Sequence, residues 1–173
     1  MKYQFGYLFI ILSVLLLVSC DDRKSGFTNN DVFRYNESAN IQTLDPAFAR
    51  NMAIIWPCTQ LFNGLVQLDD FLKVTPDIAK KWTISTDGLE YTFTLRNDVY
   101  FHKHINFGKD STRLVNAFDF EYSFNRVLSD DLASPGTWVF QNVKDYKAVN
   151  DSIFKINLKN AFPAFLSLLS MKY

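Results

Sequence analysis

The residues of this chain that could do chemistry are few and scattered. His102 and His104 are its only histidines, in His-x-His spacing, with Asp110 a few residues on. On an extended strand that spacing puts both imidazoles on one face. A metal centre needs three or four converging ligands. Cys58 is the only other soft ligand outside the N-terminal leader, so the ligand count argues for an exposed polar pair and no metal site. Asp69-Asp70 and Asp130-Asp131 are adjacent acids in stretches that read as turns, where solvation accounts for them. The chain has no GxSxG nucleophile elbow, no GxxxxGK(S/T) phosphate loop and no HExxH helix. The residues point to no enzyme and to no cofactor. Three tryptophans, Trp56, Trp82 and Trp138, could either line a cavity or fill a core.

Two cysteines raise the question of redox state. Cys20 ends an N-terminal leader. Lys2 precedes an apolar run from Phe5 to Val18, and Leu17-Val18-Ser19 stands before the cysteine. A positive start, a short apolar stretch and a small residue before the cut describe a secretory signal peptide over residues 1–19. The run is shorter than the ~20 residues that span a bilayer. A cysteine directly after that small residue resembles the bacterial lipobox, in which it is lipidated and becomes the new N-terminus. Residues 20–31 then read as a polar, lipidated tether holding the protein at a membrane surface. Cys58 is left without a partner, so a buried free thiol is expected and no disulfide.

The stretch that must position whatever function exists runs from Ala79 to Phe101. Trp82 and Ile84 alternate with Thr83 and Ser85, and Tyr91, Phe93 and Leu95 alternate with Thr92, Thr94 and Arg96. A period of two puts each set on one face of a strand. Asp87-Gly88 between the runs predicts a hairpin, since glycine takes positive φ freely. Trp82 belongs to its inner, core face.

Upstream, Val32–Tyr35 reads as a strand, Leu44-Asp45-Pro46 as a turn, and residues 51–63 as a helix. Pro57 is expected to start a fresh turn in that helix, Met52, Ile55, Trp56 and Phe62 to share a face, and Gly64 to cap it. Proline holds Asp45 extended, leaving its carboxylate to accept backbone N–H groups. Strands over 65–68 and 71–75 and a helical turn over 76–81 follow. Downstream, a strand over 99–102, a helix over 117–128 capped by Asn116 with Asp119 in its first turn, and a hairpin through Asn150-Asp151 are expected. Residues 138–143 are irregular or strand, and Phe162-Pro163 opens a last helix.

Aromatic residues make up 16% of the 173, ample material for a core. Basic and acidic side chains number 18 each. No bulk field draws the chain to nucleic acid.

Five sequence elements in order carry a resemblance: Leu44-Asp45-Pro46, LFNGLV over 61–66, PDIAKKW over 76–82, DGLEYTFTLR over 87–96 and VYFH over 99–102. Together they resemble the family 5 extracellular solute-binding proteins, the receptors of peptide, nickel and related ABC importers. The resemblance runs from about Val32 to the end and weakens over 103–115, which is longer than the family pattern. It implies an α/β, periplasmic-binding-protein-like fold (type II, cluster C). Residues 32–173 would form part of the first lobe, a mixed sheet with hairpins and flanking helices, incomplete because family members are several times longer. It implies capture of an oligopeptide on the periplasmic side of the envelope by a lipid-anchored monomer. Delivery to ABC permease and ATPase subunits would follow. Ligand contact would fall to Arg50, Asn51 and Met52, after the Leu-Asp-Pro turn, and to Gly136 and Trp138, in a loop that borders the family's cleft. A surface lipoprotein serving as scaffold or adhesion module, and a receptor for nickel or another small solute, are the alternatives.

Overall fold

The computed structural model describes residues 36–172 apart from Ser38. The leader, Cys20, the tether and the expected strand over 32–35 lie outside the described residues. The chain enters through a 3-10 turn, Pro46–Phe48, and helix α1, Met52–Leu61. A small hairpin follows, β1 (Val66–Leu68) with β2 (Val74–Pro76). The main sheet is built from β3 (Ala79–Ile84), β4 (Glu90–Leu95), β5 (Val143–Asn150) and β6 (Ile153–Leu158), in the order β3-β4-β6-β5. Helix α2, Ala117–Val127, packs across β5 and β6, and the short α3 is Phe165–Leu168.

The α/β class holds. The expected sheet was mixed, but every pairing of the named strands is antiparallel. Hairpin connections of a few residues force this for β1–β2, β3–β4 and β5–β6, and a long connection brings β6 back antiparallel to β4. The central pair is β4 with β6, where Phe93 faces Phe154 and Tyr91 faces Ile156. All four are buried, with Leu95, Leu158 and Phe165 in the same core. Phe124 of α2 meets Phe154 and Phe140 edge-on at 5.2 and 4.6 Å, the geometry that ring quadrupoles favour. The other sheet face is polar, with Glu90 and Lys155 paired at 2.9 Å.

The Asp87-Gly88 hairpin forms, and Gly88 takes φ +72°. Its loop is longer than a two-residue turn: Ser85 pairs with Glu90 and Asp87 accepts from Leu89 N–H. Strand β4 alternates buried and half-buried as its sequence dictates. Its partner β3 is an edge strand, so Trp82 is half-buried against the core and Ile84 is exposed. The capping of α2 is as expected. Asn116 accepts from Phe118 N–H, and Asp119 returns a bond to Asn116 N–H.

Other expectations need correction. Pro57 lies inside an unbroken α1, and the helix ends on Phe62 in extended geometry, so Gly64 is no cap. The buried face of α1 is Ile54 and Cys58; Met52, Trp56 and Phe62 are exposed. Those two sit four residues apart, the true helical spacing, and large exposed apolars masked it. Residues 71–73 form the hairpin turn, not strand, with Leu72 at φ 59°. Residues 79–81 are strand, not helical turn, because Ala79 and Lys81 pair with β4 across a bulge. Over 99–102 only Tyr100 bridges, to Leu114, closing a loop that holds a 3-10 segment, Ile105–Asp110. Residues 138–143 include the end of another 3-10 turn, Pro135–Phe140, before β5 begins.

Candidate ligand-binding site

Two 3-10 turns far apart in sequence lie side by side. Each begins with proline after an extended residue, as proline's fixed φ favours. In the first, Asp45 accepts Ala47 N–H at 3.1 Å, the backbone role expected of it. It also receives a two-point fork from Arg126 of α2, at 2.8 and 2.5 Å. These Arg126 bonds hold the Asp45 carboxyl below its ordinary range, and burial opposes them only in part. In the second turn, buried Ser134 accepts Gly136 N–H at 3.1 Å and donates to the carbonyl of Ala47 at 2.6 Å. That one hydroxyl closes its own turn and ties it to the other. Beneath them, Cys58 is fully buried against Leu44 and Ile54; burial first, and the Asp45 charge second, push its thiol pKa up. It is unreactive chemistry in a small core of its own with Ala49 and Ile54.

This junction walls a cavity of about 330 Å³ whose lining includes Gln42, Thr43, Phe48, Arg50 and Pro135. Of the sequence candidates it takes Arg50 alone. Asn51 is exposed, and its side-chain Oδ1 is spent capping α1, accepting Ile54 N–H at 3.2 Å. Met52 is 56% exposed one residue further. Gly136 is buried inside its turn. Trp138, on the same turn, is 44% exposed. The chain therefore presents Arg50, Met52 and Trp138 on accessible surface around linked turns, and uses Asn51 and Gly136 to build them. Gln42, Thr43 and Pro135 were missed by sequence reasoning. Pro135 had a signal, since Ser-Pro before an apolar run is a helix-start pattern.

A larger cleft, of about 500 Å³, opens between the first turn, residues 62–65, α2 and α3. Phe62, Phe120, Tyr122, Leu169 and Met171 make it apolar, and the charges at its edge, Asp45 and Arg126, already neutralise each other. Lys172, also on its wall, pairs with buried Asp77 at 3.1 Å and secures the end of the described chain.

His102 and His104 are exposed, and His104 accepts Asn106 N–H. Among the described residues no group of three or more His, Cys, Asp or Glu could hold a metal ion. Among them too, no helix is long and apolar enough to cross a membrane.

Comparison with known proteins gives these features a context. The chain is 30% identical over 132 residues to a glutathione-binding protein, GsiB, of Salmonella choleraesuis, covering 76% of this chain and 24% of that one. Among solved structures, HbpA2 from Haemophilus parasuis superposes with a TM-score of 0.68 at 29% identity, over 78% of this chain and 29% of that one. The periplasmic binding protein DppA from Helicobacter pylori, in complex with the peptide STSA, superposes with a TM-score of 0.65 at 28% identity, over 75% and 27%. The chain thus spans about a quarter of the length of the relatives it matches. The sequence profile of the bacterial extracellular solute-binding proteins, family 5 Middle, matches residues 73–172. With the hairpin, the paired turns and this profile in agreement, the chain belongs to the family 5 extracellular solute-binding proteins.

Proposed function

We propose that this chain forms part of the first lobe of a receptor that captures oligopeptides outside the inner membrane and passes them to an ABC permease. The observation that carries the proposal is the Ser134–Ala47 bond at 2.6 Å. It locks two turns that lie far apart in sequence into one surface, on which Arg50, Met52 and Trp138 are accessible. A binding surface built on rigid elements loses little entropy on occupation. Trp138 offers an apolar face to a ligand side chain, and Arg50 a cation. Peptide is favoured because the described residues supply these groups at one surface. The peptide-bound DppA supports the same reading. In this proposal Cys20 carries the lipid, residues 20–31 are the tether, and a second lobe closes over the ligand by a hinge.

Mass spectrometry of small molecules co-purifying with the full-length protein tests the proposal. Peptides of a few residues are the expected result. A nickel complex, a sugar or no ligand at all would favour the other solutes or the scaffold role.

A further inference from the structure

Four arginines fall among the described residues, and three of them are spent. Arg96 forks onto Asp98 at 2.9 and 3.1 Å. Arg126 forks onto Asp45. Arg113 forks onto Asp119, with one arm at 2.8 Å. Each presents two N–H groups to two carboxylate oxygens, the pairing that the planar guanidinium fits best. Arg50 is the exception. It is exposed, and among the described residues it has no hydrogen bond and no ion pair. It stands at a cavity of about 330 Å³ whose described walls hold no carboxylate. The nearest acid in sequence, Asp45, is already saturated by Arg126 and Ala47 N–H.

From this contrast we infer that Arg50 reads a carboxylate of the bound ligand, completing on the ligand the fork that its three counterparts complete within the chain. The inference rests on the peptide reading above and adds to it the group recognised. Thr43 and Gln42 on the same wall offer polar side chains to the flanks of that carboxylate. Phe48 and Pro135 give the wall an apolar backing, and a fork in such surroundings strengthens once water is excluded. A peptide has two sources of the group, its C-terminus and an acidic side chain.

Calorimetry on the full-length protein separates them with three probes: trialanine, trialanine amide and Ala-Glu-Ala amide. The wild type is expected to bind trialanine about 10-fold or more tighter than its amide. Arg50→Gln should erase that difference while leaving amide affinity unchanged. If Ala-Glu-Ala amide regains the affinity in the wild type and loses it in Arg50→Gln, the side-chain source is identified instead. Arg50→Lys, which keeps the charge and lacks the fork, should fall between the two. Because Arg50 has no partner to lose, thermal melting of the variants should match wild type. Equal wild-type affinity for trialanine, its amide and Ala-Glu-Ala amide, or an equal loss for all three in Arg50→Gln, overturns the inference and leaves the peptide reading standing. A wild type that binds none of the three probes overturns both.

Discussion

Asp45 is held between a backbone N–H and a guanidinium, and the second partner makes its effect on stability depend on pH. Its folded pKa lies below the ordinary 3.8. Its contribution is therefore complete above that value and is lost as pH falls through the folded pKa. The pair is about one-third exposed on both sides, so its net contribution is on the order of 1 kcal/mol. Arg126→Met should lower the unfolding free energy, read from urea denaturation, by that amount at neutral pH. At an acidic pH below the folded pKa the variant and the wild type should converge, since Asp45 is then protonated in both. A constant gap at both pH values would assign the loss to packing instead. Cys58 makes a second prediction at this scale. With a fully buried side chain and a raised thiol pKa, it should resist a disulfide-exchange reagent in native protein and react at once in denaturant. Rapid native labelling would show that the small core under the turns opens readily.

Among the elements, α2 carries the most weight. It bears the arginine that reaches Asp45, and it covers β5 and β6. Its start is set by the reciprocal bonds of Asn116 and Asp119, and Arg113 also forks onto Asp119. Asn116→Ala should cost about 1 kcal/mol by equilibrium unfolding. Helix α1 is the opposite case. Pro57 sits within it and can give no N–H to the carbonyl four residues before. The helix survives because Ile54 and Cys58 anchor it to the linked turns. Sequence patterning read α2 well, because its apolar spacing and cap agree with each other. It misread α1, because proline and several exposed apolar residues there contradict local rules that tertiary contacts override.

At the scale of the molecule, stability rests on the aromatic layer between the sheet and α2. Phe154 is fully buried, pairs across from Phe93 and touches the rings of Phe124, Phe120 and Tyr146. Phe154→Ala should cost about 3–5 kcal/mol in the full-length protein, read as a fall in the denaturation midpoint. Binding is a different matter, since under the proposed function this chain supplies only part of the walls of the site. The 173-residue chain alone should show no micromolar affinity for mixed di- to pentapeptides in calorimetry, and such an affinity would show that one wall suffices.

The sequence by itself determined the β4 strand with its Gly88 turn, the capped α2, the second hairpin and the family. Each depends on contacts between near neighbours, where period and turn chemistry are written locally. Only the tertiary structure decided which candidates face solvent. Arg50 stayed unpaired because Asp45 met Arg126, 81 residues away, and the two turns became one surface because Ser134 met Ala47, 87 residues away. Pairings at that separation leave no periodic trace in a chain. They depend on how the layers pack, which no local window of residues contains.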